Sequence, residues 1–283
     1  MTHVRPCRVG SFEISVVCQG FAPLALSDEC PDQEVDWEEQ RRRHPWAFYD
    51  LGHVLGHDAG SWPWHVHAFV IRGPSGLVMV DTGTGSFPPF EPWAESRPAD
   101  QAYADAGVDP DEVDVVVMTH LHADHAGGGL TSDGAPRFPN ARYVVHPADW
   151  AFFQDSDDQV DYTARHALER VQDLGMLDLS EDDREVAPGV GVVHTPGHTP
   201  GHRSVVLRAA DRSALLTGDL LHLPIQAEHP TWPSSHDQDP ATGAVSRALL
   251  LGTARERGWT IGVPHFAEPF GSLTSEGWVE MPR

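Results

Sequence analysis

The hexapeptide HLHADH, residues 120–125, places three histidines and one aspartate within six positions. It directly follows DEVDVVVMT (111–119), an apolar run that predicts a buried strand. In an extended segment the side chains of residues i and i+2 share a face, so His120 and His122 can hold one metal ion together. The turn that follows can direct the next aspartate and histidine toward a second ion, because imidazole and carboxylate are good zinc ligands.

Three further residues of ligand type lie farther along the chain, at His198, Asp219 and His265. Each follows an apolar run and stands beside glycine or proline. Taken alone, each would be interpreted as a loop or capping residue. Together with the hexapeptide they supply five histidines and two aspartates, which is enough for two metal ions.

Composition narrows the function classes. The formal net charge is −23, and such a field repels a phosphate backbone, so we expect no nucleic acid partner. All 19 basic residues are arginine, which excludes lysine nucleophiles and Schiff bases. There is no apolar run long enough to predict a membrane span, and the N-terminus does not resemble a signal peptide. Three cysteines without a Cys-x-x-Cys pair favour a reducing, cytoplasmic location.

Strand and helix patterns alternate along most of the chain. Strands are predicted at 64–72, 77–82, 111–119, 141–146, 189–195, 203–209, 213–219 and 259–265, and helices at 98–107, 147–175 and 239–258. This order predicts an α/β fold with two sheets between helices, in a single domain covering 1–283. Residues 1–60 are irregular and acidic. We expect an arm or lid there, which either caps the pocket or clasps a second subunit of a homodimer, rather than a core strand.

Four motifs follow one another in a familiar order: HLHADH (120–125), TPGHTPGH (195–202), TGD (217–219) and PHF (264–266). They resemble the H-x-H-x-D-H hydrolase form of the metallo-β-lactamase superfamily. VDTGTG (80–85) resembles the early D-T-G strand end of that superfamily. The resemblance covers most of the chain and implies the αββα sandwich of the metallo-β-lactamase type, with two mixed β-sheets flanked by helices.

The resemblance also implies a ligand set for two metal ions. One site would be formed by His120, His122 and His198 and a second by Asp124, His125 and His265, with Asp219 bridging them and Asp81 orienting ligands through hydrogen bonds. The implied cofactor is two divalent ions. Zinc is the first expectation, and iron, manganese and cobalt are the alternatives, because such sites take metals according to supply.

Three other histidines, His65, His67 and His202, are interpreted as structural. His202 follows His198 by four residues, but the proline and glycine between them prevent a helix that would put both on one face. His202 therefore either holds the loop through a hydrogen bond or faces water. His65 and His67 share a strand face, but no Asp-His follows them. A structural role is preferred for this pair, with a place on the rim of the active site as the alternative.

Three segments resemble the branch that includes methyl parathion hydrolase and N-acyl homoserine lactonases: GDLLHLPIQ (218–226), the helix at 239–258 and HFAEPFGSL (265–273). This implies an enzyme that opens lactones or cleaves carboxylic esters by attack of a metal-bridging hydroxide. Asp124 would pass a proton to the leaving group. His222 would bind the substrate or the oxyanion, and a structural role is its alternative.

The same site also suits other reactions. The alternatives are a phosphotriesterase, a thioesterase or a β-lactam hydrolase, and, from another class, a metal-binding protein without catalytic activity. Nine tryptophans suggest an apolar entrance for a small ester or lactone with an apolar group. The candidate wall residues are Phe48, Trp62, Trp64, Trp232 and Phe266, with a place in the core as the alternative for most of them.

Overall fold

Two mixed sheets lie face to face and helices cover both outer faces, as the sequence predicts. The computed structural model describes residues 4–30, 33–48, 60–74, 76–85, 95–154 and 159–281. No helix in these ranges is long and apolar enough to cross a membrane. The three cysteines all fall within them and form no disulfide bond.

The first sheet has eight strands in the described part of the chain. They are β1 (Cys7–Val9), β2 (Phe12–Ala25), β3 (Ser61–Gly73), β4 (Gly76–Val80), β5 (Glu95–Ser96), β6 (Val113–Val117), β7 (Arg142–Val145) and β8 (Leu177–Leu179). The order is β1-β2-β3-β4-β6-β7-β8, with β5 beside β2. Strands β4, β6, β7 and β8 run parallel to one another. They are rich in valine because both faces of a parallel sheet are covered.

The second sheet has seven strands among the described residues. They are β9 (Arg184–Ala187), β10 (Val190–His194), β11 (Arg203–Arg208), β12 (Ser213–Leu216), β13 (Thr260–Gly262), β14 (Phe270–Thr274) and β15 (Gly277–Glu280). They follow one another in chain order across the sheet. Strands β12 and β13 are parallel, and the other neighbouring pairs are antiparallel. The predicted strands between 189 and 265 are therefore confirmed.

The described helices are α1 (Trp37–Arg43), α2 (Ala99–Asp105), α3 (Ala123–Ala126), α4 (Pro147–Gln154), α5 (Gln159–Asp173), α6 (Pro224–Glu228) and α7 (Pro240–Glu256). Helix α7 begins and ends close to the residues that its sequence pattern predicts. The Asp239 side chain accepts a hydrogen bond from the backbone N–H of Thr242, and Pro240 occupies the first turn. The helix ends just before Gly258, whose φ of +62° suits a residue without a Cβ.

The core has three layers, one between the two sheets and one on the outer face of each sheet. Val117, Val205 and Leu216 belong to the cluster between the two sheets. Trp150 from α4 packs with the outer face of the first sheet, and Leu251 from α7 packs with the outer face of the second. Each sheet thus buries both faces, which is what the αββα arrangement requires.

The N-terminal segment differs from the prediction of an arm without a core strand. Strand β2 is fourteen residues long and pairs with β3 along most of its length, from Glu13 opposite Arg72 to Ala25 opposite Ser61. The alternation of apolar residues in β2 is interrupted by a register shift between Cys18 and Gly20, which hid the strand in the sequence. The expectation is therefore wrong for β2. Residues 49–59 lie outside the described residues, and an arm or lid formed by the rest of 1–60 stays a prediction.

Buried charges fix the loops that follow the strands of the second sheet. Arg247 on α7 is 1% exposed. Its guanidinium donates to the carbonyl of Leu220, to the carbonyl of Trp232 at 2.7 Å, and to Asp237 Oδ2 at 3.0 Å. Five N–H donors in a planar fork suit this combination of two carbonyls and a carboxylate. The helix and two loops are thus connected by one side chain.

Asp149 connects loops from the two sheets. This residue lies in the first turn of α4 and is almost fully buried. It accepts hydrogen bonds from the Thr199 hydroxyl at 3.0 Å and from the Gly201 backbone N–H at 2.6 Å. Burial raises the pKa of Asp149 to about 7, although these donors and a bond from the Leu121 backbone lower it. Its ionised form is therefore costly in the folded protein.

Arg247→Met should lower the free energy of unfolding by about 3–5 kcal/mol, because it leaves Asp237 as a buried charge without its partner. Urea unfolding at constant pH measures the change. The control is Arg255→Met, an exposed arginine on the same helix, which should change stability by less than about 0.5 kcal/mol. Equal losses in the two variants would contradict the role given to Arg247.

Asp149→Asn tests the cost of the buried carboxylate. A raised folded-state pKa favours the protonated form, so the stabilisation is complete below about pH 4 and is lost as the pH rises through about 7. The wild type should lose up to about 4 kcal/mol of unfolding free energy relative to the variant between about pH 4 and about pH 8. Urea unfolding across this range, with one metal supply throughout, measures the difference. A constant difference would contradict the prediction.

Candidate metal centre

The segments after four strands bring the seven predicted metal ligands together. Strands β6, β10, β12 and β13 are followed by the segments that carry them, and β4 is followed by Asp81. The ligand atoms form two adjacent groups, each within 4.8 Å. The first group contains His120, His122 and His198, and the second contains Asp124, His125, Asp219 and His265. These are the two groups that the resemblance implied, with six residues buried and His122 half-buried.

The first group consists of three imidazole nitrogens in mutual contact. Nε2 of His120 lies 2.9 Å and Nε2 of His198 lies 3.0 Å from Nδ1 of His122. Burial lowers the pKa of His122 to about 4 and that of His198 to about 3, and it lowers the pKa of His120 well below its usual range. All three rings are therefore neutral near pH 7, which is the form that binds metals.

The second group adds carboxylates. Asp124 and His125 lie in the short helix α3, which begins directly after His122. Nε2 of His125 is 2.9 Å from Asp124 Oδ2, and Nε2 of His265 is 3.0 Å from Asp219 Oδ1. The residues thus converge from both sheets on a small buried volume.

Asp219 is shared by the two groups. Its Oδ1 atom is 3.1 Å from Nε2 of His125, whereas its Oδ2 atom is 3.3 Å from Nε2 of His198 and 3.8 Å from Nε2 of His120. Burial alone would raise the pKa of Asp219, but the imidazoles around it lower the pKa well below its usual range. A single ionised carboxylate therefore reaches both groups, in the bridging position.

The donor atoms fit metal ions better than they fit one another. Asp124 Oδ2 and His125 Nε2 are buried and lie 2.9 Å apart, yet neither forms a hydrogen bond among the described residues. Buried polar atoms rarely stay unpaired, and two of them so close together indicate a shared partner. Five imidazoles and two carboxylates are a donor set for borderline divalent ions such as Zn²⁺. The residues present therefore fit two such ions.

Hydrogen bonds from outside the two groups orient the ligands. The Nδ1–H of His125 donates to Asp81 Oδ2 at 2.8 Å, and the Nδ1–H of His265 donates to the carbonyl of His65 at 2.7 Å. Each bond leaves the Nε2 lone pair directed into the site. Asp81 also accepts from the Thr119 backbone N–H at 2.7 Å, and its φ of +63° is strained for a residue other than glycine. This position was anticipated from the D-T-G motif.

A second carboxylate supports the first group and was missed in the sequence. Oδ1 of Asp237 lies 3.4 Å from Nδ1 of His198, and Arg247 holds the other oxygen. Burial alone would raise the pKa of Asp237, but His198 and Arg247 lower it to about 2. The loop SSHDQDP around it has no ligand spacing, so its role follows only from the fold.

The two histidines of TPGHTPGH have different partners. His202 is fully buried. Its Nδ1–H donates to the carbonyl of Thr195 at 3.0 Å, and its Nε2 accepts from the backbone N–H of Asp219 at 3.0 Å. It therefore holds the loop that carries the shared carboxylate, and the alternative in which it faces water is wrong. His198 is the member that joins the ligand group.

His222 lies beside the shared carboxylate and has an unexpected partner behind it. Its Nε2–H points to Asp219 Oδ2 at 3.2 Å, and its Nδ1 is 3.7 Å from Oε2 of Glu29. Burial alone would lower the pKa of His222, but Glu29 and Asp219 raise it to about 10. Glu29 is 1% exposed and accepts a hydrogen bond from the Ser234 hydroxyl at 3.3 Å. In the sequence this residue belongs to the acidic segment 1–60, for which an arm or lid is expected.

The aromatic candidates for the pocket wall pack mainly into the core. Trp62 and Phe266 are each 1% exposed, and Phe48 belongs to the same buried cluster as Trp62. The Trp64 ring stacks on His265 with 4.6 Å between the centroids. The alternative of a core position therefore holds for these residues, and Trp64 supports a metal ligand from behind.

Comparison with known proteins supports the family resemblance that the order of the motifs indicated. A model of the metallo-beta-lactamase superfamily matches residues 61–256, well over half of the chain. An N-acyl homoserine lactonase from Bacillus sp is 32% identical over 146 residues, which cover 50% of this chain and 52% of that protein. The lactonase AttM from Rhizobium radiobacter is 29% identical over 167 residues, covering 52% and 61%. The chain thus spans about half the length of the curated relatives it matches.

Solved structures share the fold over nearly the whole chain. AidC, described as a dizinc quorum-quenching lactonase, has a TM-score of 0.80 at 17% identity, covering 99% of this chain and 97% of its own. The hydrolase AbOPH, described as a member of the beta lactamase superfamily, has a TM-score of 0.81 at 22% identity, covering 100% and 99%. At such identities the likeness concerns the fold. The family match, the fold and the order of the ligand motifs together show that the chain belongs to the metallo-beta-lactamase superfamily.

Proposed function

We propose that this chain is a dinuclear metallohydrolase that opens lactones or cleaves carboxylic esters. The main support for this proposal is the Asp219 carboxylate, whose two oxygens contact one group of ligand atoms each. The partial relatives named as N-acyl homoserine lactonases support a lactone as the substrate. We propose zinc as the metal on the donor set and on the dizinc description of AidC.

The residues divide the work of ester hydrolysis between them. Two divalent ions, when bound, supply Lewis-acid polarisation of the carbonyl and lower the pKa of water toward neutrality. Oδ2 of Asp124 has no hydrogen-bond partner among the described residues, so it is the atom proposed to take up the proton of the attacking water. The same oxygen then returns the proton to the alkoxide that leaves when the ester C–O bond breaks.

His222 is better explained as a positioning residue than as the donor to the oxyanion predicted from the sequence. Its Nε2 already faces Asp219, and its Nδ1 faces the buried carboxylate of Glu29. With a carboxylate on each side, the ring is held in its doubly protonated form. His222 then fixes the orientation of the shared carboxylate, and Glu29 fixes His222.

Two further proposals concern the location of the chain and its oligomeric state. The chain is proposed to be cytoplasmic, which cell fractionation would test. It is also proposed to form a homodimer, which analytical ultracentrifugation would test.

His120→Ala should bind less metal and lose more than about 100-fold in the rate of lactone hydrolysis. Loss of a residue that only hydrogen-bonds to a metal ligand costs about 10–100-fold in affinity or activity, and loss of the ligand itself should cost more. Proton release measures ring opening from γ-butyrolactone to long-chain acyl homoserine lactones, and mass spectrometry measures metal content. The control is His166→Ala, an exposed histidine on α5, which should match the wild type.

The reaction class is tested by offering other substrate classes to the wild-type protein. Hydrolysis of an aryl phosphotriester, an acyl thioester or a cephalosporin, without lactone opening, would replace the proposed substrate class. Full metal content with no hydrolysis across the panel would contradict the enzymatic proposal and favour a metal-binding protein.

Glu29→Gln should lower kcat by about 10–100-fold with little change in KM, because Glu29 acts through another residue. Glu29 raises the pKa of His222, so its loss should move the basic limb of the kcat profile to lower pH. Kinetics across the pH range measure both effects. Glu38→Gln, on the exposed face of α1, is the control from the same acidic segment. An unchanged pH profile in Glu29→Gln would show that Glu29 only supports the fold.

A further inference from the structure

A second cluster of metal-ligating side chains lies outside the seven residues described above. Cys18 on β2 and His65 and His67 on β3 place one ligand atom each within 4.8 Å of one another. The two histidines are buried and the cysteine is half-buried. The sequence predicted a structural role for the histidine pair and indicated nothing for Cys18.

The sheet register explains why these three side chains meet. Cys18 is the partner of His67 across the antiparallel pair β2 and β3. Residues 65 and 67 share a face of β3, because side chains alternate along a strand. Directly opposed side chains on one face of an antiparallel pair are neighbours. The cluster is therefore built on two paired strands and not on a loop.

The tautomer of His67 is fixed by one hydrogen bond, and its second ring nitrogen has no hydrogen-bond partner among the described residues. Its Nε2–H donates to the carbonyl of Phe266 at 3.1 Å, so the proton is on Nε2 and the lone pair is on Nδ1. Nδ1 is buried and has no hydrogen-bond partner among the described residues. Burial lowers the pKa of His67 to about 3, so the ring stays neutral. A buried acceptor of this kind needs a partner.

The neighbouring ring and the thiol complete a donor set. The His65 and His67 rings stack with 5.2 Å between centroids at an angle of 29°. A neutral imidazole offers one lone pair to a metal ion. A thiol joins them once its proton is released to solvent. Two imidazoles and a thiolate are ligands for borderline and soft ions.

We propose that Cys18, His65 and His67 form an additional metal site for a borderline ion such as zinc. Three protein ligands leave a fourth coordination position for water. The site belongs to the same strand segment that supports the main centre, because the carbonyl of His65 accepts the Nδ1–H of His265 at 2.7 Å. An ion there would fix β3 against β2 and thereby the orientation of His265. This inference does not depend on the proposed hydrolase activity.

Loading with Co²⁺ distinguishes this site from the main centre. None of the seven residues of the main centre carries sulfur, so a thiolate-to-cobalt charge-transfer band can arise only from a cysteine. The wild type should develop this near-ultraviolet band on titration of metal-free protein with Co²⁺. Cys18→Ser should lose the band and bind about one ion fewer per chain. Cys7→Ser and Cys30→Ser change the two other thiols and should keep the band.

The wild-type spectrum alone already tests the proposal, so a Cys18→Ser variant that misfolds does not leave it open. Cobalt binding by the wild type without a charge-transfer band overturns it. A band that survives in folded Cys18→Ser protein, checked by circular dichroism, also overturns it. His67→Gln provides a second test, because it keeps the thiol and should still weaken the band.

Discussion

The arrangement depends on one carboxylate that two groups of ligand atoms share. Asp219 follows β12 of the second sheet, whereas His120 and His125 follow β6 of the first, and both its oxygens face imidazole nitrogens. His222 offsets part of the desolvation of this buried anion, whereas His120 and His198 are neutral rings and do not. Divalent ions would supply further positive charge, so their binding would be coupled to the correct approach of the two sheets. The residues of the site therefore also contribute to the packing of the two sheets.

The surrounding hydrogen bonds show a repeated solution to the problem of orienting an imidazole. Asp81 holds His125, Asp237 faces His198, and the carbonyl of His65 holds His265. Asp81 and the carbonyl of His65 each accept the Nδ1–H of their ring, which leaves Nε2 directed into the site, and Oδ1 of Asp237 lies 3.4 Å from Nδ1 of His198. Because these partners are themselves fixed, by Thr119 and by Arg247 among others, the ligand geometry is set before an ion arrives.

The order of strand and helix patterns predicted two sheets between helices because that signal is local, whereas the grouping of the seven ligands was implied by the resemblance to the superfamily. Valine-rich runs predict strands, and ligand-type residues follow them directly in the chain. Strand β2 was missed because the register shift near Gly20 breaks its alternation. Glu29, Asp237 and Cys18 were missed for a different reason. Their partners are distant in the chain, and only strand pairing and loop packing bring them together.

The N-terminal segment contributes to the centre from behind, and this limits how it can move. Glu29 is buried against His222, so moving it outward would separate two buried groups of opposite charge. Breaking such a pair costs about 3–5 kcal/mol, which is a large share of the stability of an ordinary domain. Strand β2, just before it, is paired with β3 along most of its length. The segment from β2 to Glu29 should therefore stay in place while substrate enters, which separates it from the lid that the sequence suggested.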